Sequence, residues 1–200
     1  QIGRKGLKPI FDFITEAQRD QSPFFIWYAP FLPHTPHNPP KRLLDKYRGQ
    51  VDSLPIAKYW AMCDWFDETC GELLQHLDDQ QLRENTMVVY VTDNGWINRA
   101  DRSAYAPRSK RSPNEGGIRT PIMIRYPPLV KPRRDDERLV SSIDLAPTIL
   151  AACGLPSTDA MPGINLLDES AVTKRKRIEG EIYSHDVADI QHPATSLKYR

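Results

Sequence analysis

Thr86-Met87-Val88-Val89-Tyr90-Val91-Thr92-Asp93-Asn94-Gly95 is the stretch that decides the fold. Its β-branched and aromatic run reads as a buried strand, because such side chains pack well on a pleated surface. The run stops at an Asp-Asn-Gly turn signal. Before it, Ile56, Trp60, Cys63, Phe66, Cys70, Leu73, Leu74 and Leu77 recur at the spacing of one helix face, so a helix is expected over 56–79, with Asp64, Asp67, Glu68 and Glu72 elsewhere on it. Farther upstream, Leu7, Ile10, Phe11, Ile14 and Ala17 predict an amphipathic helix over 7–20, with Pro9 tolerated in its first turn. Phe24-Phe25-Ile26-Trp27-Tyr28-Ala29 is a continuous apolar run that suits a strand buried on both faces of a parallel sheet. Downstream, 121–126 reads as a strand, Asp144 as the cap of a helix over 145–153 ended by Gly154 and Pro156, and 181–184 as a further strand. Helices alternating with buried strands predict an α/β fold, a mostly parallel central sheet flanked by helices.

Composition narrows the function classes. Of 200 residues, 40% are hydrophobic and 26% charged, with a net charge of +1, which excludes disorder. With 27 basic against 26 acidic residues there is no surplus to hold nucleic acid, and Lys174-Arg175-Lys176-Arg177 is only a local patch. No nucleic-acid partner is expected. No apolar stretch approaches the roughly 18 residues that suggest a membrane span. Cys63, Cys70 and Cys153 lack Cys-x-x-Cys spacing and read as buried thiols. Gln1-Ile2-Gly3-Arg4 has neither an initiating Met nor the apolar core of a signal peptide, so the N-terminus is expected to be cut.

Ligand sites in open α/β sheets gather beyond the carboxyl ends of strands, and two polar segments fall at such ends. One is Pro33-His34-Thr35-Pro36, within a proline-rich loop over 31–40 that also carries His37. The other is Asp93-Asn94-Gly95. Asp93 and Asn94 offer one anionic and one neutral oxygen, which suits a hard cation such as Ca²⁺. The competing reading is a tight hairpin turn, but no partner strand follows at once. More than two dozen polar residues intervene before the next strand, and loops of such length usually have a function. Within that loop, Ser109-Lys110-Arg111 and Glu115-Gly116-Gly117-Ile118-Arg119 bring cations and a glycine pair to the approach of a strand, an arrangement able to receive an oxyanion. A solvated basic loop is the alternative, with the glycines serving unusual backbone angles and Arg119 pairing with Glu115. Trp96 and the loop from Ile97 to Arg108 are expected to line a substrate pocket, with Arg99, Arg102 and Arg108 favouring an anionic polysaccharide.

In order, Ala29-Pro30-Phe31-Leu32-Pro33-His34-Thr35-Pro36-His37, then Val91-Thr92-Asp93-Asn94-Gly95, then Lys110 ahead of Glu115-Gly116-Gly117-Ile118-Arg119-Thr120-Pro121 resemble the sulfatase family of the alkaline phosphatase superfamily. Ser142-Ile143-Asp144-Leu145-Ala146-Pro147-Thr148-Ile149-Leu150 with Gly154-Leu155-Pro156 resembles the family's next landmark, so most of 23–167 is covered. The resemblance implies an alkaline phosphatase-like fold and hydrolysis of sulfate esters by a formylglycine made from Cys or Ser, with a Ca²⁺ ion holding sulfate oxygens. It implies Asp93 and Asn94 as metal ligands, Lys110 on the sulfate and its bridging oxygen, and His34 on the leaving-group side. Trp96 and Arg108 are the candidate substrate-binding residues.

The family's nucleophile motif, Cys or Ser followed by x-Pro-x-Arg, is nowhere in the chain. Cys63, Cys70 and Cys153 all fail it, and Asp78-Asp79 and Asp135-Asp136 do not replace the family's metal-binding aspartate pair. The chain therefore reads as an internal fragment, incomplete at the N-terminus and inactive by itself. Residues 1–178 are expected to belong to the catalytic α/β domain and 179–200 to start the C-terminal subdomain. The expected substrate is a sulfated small molecule or polysaccharide, and periplasmic or secreted localisation is inferred from the family alone. A phosphodiesterase or phosphonate hydrolase of the same superfamily, and a non-catalytic sulfoglycan- or metal-binding remnant, are the rival readings.

Overall fold

The helices form where the periodicity is strongest. In a computed structural model, which describes residues 2–182 and 196–199, α1 spans Lys8–Arg19 and buries Ile10, Ile14 and Ala17 along one stripe, with Pro9 in the first turn. Helix α2 spans Lys41–Tyr47 and α3 spans Leu54–Asp79. Ser53 caps α3 by accepting a hydrogen bond from the Ile56 N–H at 3.2 Å. The α2–α3 contact is built from Leu43, Leu44, Ala57 and Ala61, with Tyr47, Val51 and Trp65 around them. Alanines at 57 and 61 leave room for the leucines of α2. Trp60, expected on the core face, is instead 39% exposed and sits edge-on to Tyr47 at 6.0 Å between ring centroids. The buried stripe of α3 runs through Ala57, Ala61, Met62, Thr69 and Leu77.

The chain falls into two compact units, one of Gln1–Arg83 with Asn98–Ala106, the other of Glu84–Ile97 with Pro107–Arg200. The first unit holds α1, α2, α3 and the segment around Phe24–Ala29. That segment is not the buried strand its composition predicts. It pairs with no strand among the described residues, Phe25 and Trp27 are 68% and 84% exposed, and only alternate side chains are partly covered. A run of apolar residues specifies a side-chain surface, whereas a strand needs a partner backbone. Tyr28 is held by a hydrogen bond from its hydroxyl to Thr69 Oγ1 at 2.8 Å.

The second unit contains β1 at Val88–Val91, the one-turn helix α4 at Glu115–Ile118, and β2 at Ile122–Arg125. Strands β1 and β2 pair antiparallel, Val88 opposite Arg125 and Val91 opposite Ile122. Helix α5 follows at Leu145–Ala152, α6 at Glu169–Lys174, and β3 at Glu179–Ile182 pairs antiparallel with β4 at Ser196–Tyr199. The mostly parallel sheet expected from the sequence is therefore not what the described residues form; both of their sheets are two-stranded and antiparallel. The strand expected at 181–184 is placed two residues earlier, and its last two residues lie outside the described residues.

Helix α5 ends as expected. Gly154 takes φ +70°, and the Leu155 N–H reaches back to the Leu150 carbonyl at 2.8 Å, the left-handed glycine ending of many helices. Its start differs from expectation. Asp144 is wholly buried and makes no side-chain cap to α5; its carboxylate accepts from the Ser141 N–H at 2.8 Å and the Ile164 N–H at 2.9 Å. Arg175 completes the arrangement with Nη1 at 2.6 Å and Nη2 at 2.8 Å. Thr148 Oγ1, also buried, donates to the Asp144 carbonyl and accepts from the Leu166 N–H at 2.8 Å. These two side chains fasten the 164–175 segment onto α5.

Candidate active site

The polar end of β1 is clasped by the loop that precedes β2. The Gly95 N–H donates to the Gly117 carbonyl at 2.8 Å, and the Ile97 N–H donates to Ser109 Oγ at 2.6 Å. Thr120 Oγ1 lies 3.4 Å from the Thr92 carbonyl at the base of the same clasp. Asp93 and Asn94 thus project from a segment whose backbone is tied to Ser109 and Gly117, and Lys110 follows Ser109 directly.

Gly116 and Gly117 are needed for space. The sequence left open a role in unusual backbone angles, but neither has positive φ. A Cβ on Gly95 would run into the Gly116 carbonyl oxygen, and one on Gly117 would run into the carbonyl oxygens of Ser109 and Ser112. The left-handed positions are instead Arg108 at φ +59° and Arg111 at φ +64°. Arg119 pairs with Glu115 at 3.7 Å, the structural role set out as one alternative.

The predicted site residues divide between the two units. In the second, Asp93 is exposed, Asn94 is half-buried with its Nδ2 donating to the Gly95 carbonyl at 2.9 Å, and Lys110 Nζ stands 6.0 Å from the Trp96 ring centroid. That places the ammonium over an aromatic face, a contact worth about 0.5–1 kcal/mol where solvent reaches it. Arg108 is exposed. Arg99, one of the three arginines of this loop, is engaged by Asp101, with Nε–Oδ1 at 2.8 Å and Nη2–Oδ2 at 3.0 Å.

In the first unit, His34 is exposed on the proline-rich loop, whose Leu32-Pro33 and Thr35-Pro36 peptides are cis. Its Nδ1 lies 2.9 Å from the Thr35 carbonyl, and Phe31 covers one side of the ring at 4.8 Å between centroids. The carbonyl can only accept, so this contact assigns the Nδ1–H as its donor and leaves Nε2 outside that bond. His37, three residues on, is buried beside Tyr59, with ring centroids 5.4 Å apart. Burial, then the neighbouring His34 and Lys58, hold its imidazole below the ordinary range. An unfolded imidazole takes up a proton near pH 6.5. The folded one resists to lower pH, so unfolding binds a proton in this window and stability falls as pH drops from about 6.5 toward the lowered folded value. His37→Gln is therefore expected to flatten the loss of stability between pH 6.5 and 5 in denaturant titrations. Parallel curves for the two proteins would show that His37 does not supply that slope.

The cysteines offer no activated thiol. Burial, reinforced by Asp67, pushes the Cys70 thiol up to about 11, and burial raises Cys63 as well. Both are protonated at neutral pH and unsuited to nucleophilic attack. Cys153, expected to be buried, is exposed. No group of three or more His, Cys, Asp or Glu side chains is arranged to hold a metal among the described residues. The pair Asp93 and Asn94 fits a hard divalent cation as a partial oxygen set, two of the six to eight such an ion takes. Sequence reasoning missed Ser109, whose burial is visible only in three dimensions, and the Asp144–Arg175 pair, whose partners lie far apart in the chain. No helix among the described residues is long and apolar enough to cross a membrane.

A family profile described as Sulfatase matches residues 5–155. A protein named Sulfatase from Formosa agariphila is 28% identical over 188 residues, covering 86% of this chain and 33% of its own length. Human Arylsulfatase A is 31% identical over 161 residues, covering 78% of this chain and 29% of its own. The chain thus spans about a third of the length of the curated relatives it matches. The crystal structure of Ps i-CgsB superposes with a TM-score of 0.75 at 24% identity, over 88% of this chain and 41% of that one, a likeness of fold. The same protein has been solved in complex with k-i-k-neocarrahexaose.

Proposed function

The chain belongs to the sulfatase family, and from that premise we propose that it is part of a sulfuric ester hydrolase, supplying one portion of a sulfate-ester site. The observation that carries this reading is the clasp that ties the loop bearing Lys110 to the strand end that carries Asp93 and Asn94, through Gly95 to Gly117 and Ile97 to Ser109. A cation and two oxygen ligands held at one end of a strand suit a tetrahedral sulfate-ester anion bound beside a metal.

Asp93 and Asn94 would hold a divalent cation, Ca²⁺ in this reading, which when bound supplies positive charge to the sulfate oxygens. Lys110 donates hydrogen bonds to a sulfate oxygen and offsets the negative charge that builds on the bridging oxygen as the S–O bond breaks. His34, with Nδ1 held by the Thr35 carbonyl, is assigned the proton that the departing alkoxide takes up. The nucleophile of this reading is the family's formylglycine, whose Cys or Ser-x-Pro-x-Arg motif is not among the 200 residues. Trp96 and Arg108 are assigned to the alcohol portion of the substrate, a sulfated small molecule or saccharide whose ring would lie against the indole. In this reading residues 1–178 belong to the catalytic α/β domain of the complete protein and 179–200 begin its C-terminal subdomain, and export to the periplasm or medium is inferred from the family and its calcium use.

The test is aryl sulfate hydrolysis by the complete protein that carries this chain, titrated with Ca²⁺ after chelation. Asp93→Ala should raise the Ca²⁺ concentration for half-maximal activity by about 10-fold or more, since the site loses a carboxylate. Unchanged calcium dependence would return Asp93-Asn94-Gly95 to being a turn. Faster cleavage of a phosphodiester or phosphonate ester than of any sulfate ester would replace the sulfatase assignment with the neighbouring hydrolase activity.

A further inference from the structure

We infer that Ser109 is a positioning residue for Lys110 and Trp96, an inference that rests on the assignment of Lys110 to the sulfate. Ser109 has no exposed surface, and its hydroxyl oxygen accepts the Ile97 N–H at 2.6 Å. Trp96 immediately precedes Ile97 and Lys110 immediately follows Ser109. That one bond therefore spans the residues on which the indole and the ammonium are carried, and the two groups stand 6.0 Å apart.

Two further features make this bond the controlling one. Ser109 and Lys110 lie between Arg108 at φ +59° and Arg111 at φ +64°. Left-handed backbone at residues other than glycine persists only when its surroundings over-determine it. Among those surroundings, Ser109 is the one wholly buried side chain of the 108–111 turn. The opposite side of the turn is occupied too, since the Ser109 carbonyl oxygen comes within clashing distance of where a Cβ on Gly117 would be, and the Gly117 carbonyl in turn accepts the Gly95 N–H at 2.8 Å. Ser109 is thus packed through its backbone against Gly117 of α4 and bonded through its hydroxyl to Ile97. Removing the oxygen frees one of those grips and leaves the Ile97 amide without the acceptor it uses here. The ammonium would then sample positions off the sulfate, and displacement of a reacting group by about 1 Å can cost up to about 10²-fold in rate.

The experiment is a double-mutant cycle in the complete protein, with kcat and KM for an aryl sulfate and thermal melting measured on each variant. Ser109→Ala should lower kcat about 10-fold with KM little changed, accompanied by a modest fall in melting temperature from the lost Ile97 hydrogen bond. Ser109→Thr, which keeps the acceptor oxygen, should recover most of that loss. On a Lys110→Ala background, Ser109→Ala should cost almost nothing more, because a positioning residue has no effect once the group it positions is gone. Losses that multiply in the double variant, or wild-type kinetics for Ser109→Ala, would overturn the inference and leave Ser109 a packing residue. If Ser109→Ala does not fold, Ser109→Cys, of similar size but a poor acceptor, takes its place in the same cycle with the same expected pattern. Full activity of Lys110→Ala alone would remove the premise and the inference together, whereas an inactive Lys110→Ala with an unaffected Ser109→Ala removes only the inference.

Discussion

Lys110→Ala in the complete protein is expected to lower kcat/KM for a sulfate ester by about 10²- to 10³-fold, the range seen when one preorganised donor to a developing oxyanion is removed. The loss should fall mainly on kcat, since a charge aimed at the bridging oxygen matters most as the S–O bond breaks. Stability should hardly change. Lys110 is half-buried and its contact with Trp96, at 6.0 Å from the ring centroid, is worth about 0.5–1 kcal/mol. Lys110→Arg should recover only part of the rate, because a planar guanidinium keeps the charge but presents it in a wider fork. Near-normal kinetics for Lys110→Ala would mean that the 108–119 loop is a solvated basic segment and that its glycine pair serves packing alone.

Arg175→Met is expected to destabilise the fold by about 3 kcal/mol, measured by denaturant unfolding at neutral pH. The Asp144 side chain has 0% exposure and Arg175 only 11%, with both guanidinium nitrogens on the carboxylate. Taking away the cation leaves a buried carboxylate with the Ser141 and Ile164 amides as partners, which holds the cost toward the low end of the 3–5 kcal/mol typical of such losses. Asp144→Asn on the Arg175→Met background should restore part of the stability, because a neutral amide needs no counter-charge. By contrast, the exposed Lys8–Asp12 pair, with side chains 83% and 61% exposed, should matter by no more than about 0.5 kcal/mol when Lys8 is replaced by Ala. If Arg175→Met were as mild as Lys8→Ala, the 164–175 segment would not depend on this pair for its attachment to α5.

The helices α1 and α3 were legible from sequence because the signal is local. Ile10, Ile14 and Ala17 share a face whatever they pack against, and α3 was legible as a helix, although its Ser53 cap was not read and only Leu77 of its expected face lies in the buried stripe. The order of Asp93-Asn94-Gly95, Lys110 and Glu115-Gly116-Gly117 was equally legible and suffices to identify the family, since each motif lies within one short segment. What tertiary structure decided is everything that depends on a partner distant in the chain. Phe24–Ala29 has the composition of a buried strand yet remains unpaired among the described residues, because hydrogen bonding belongs to a neighbouring backbone and not to the run itself. Asp144 has the position of a helix cap but spends its oxygens on Arg175, Ser141 and Ile164, where a wholly buried carboxylate finds a full set of donors. For Gly116 and Gly117 the sequence left unusual backbone angles as one alternative, whereas in space their missing Cβ atoms let the Arg108 and Ser109 carbonyls approach, a distance constraint that no periodicity encodes.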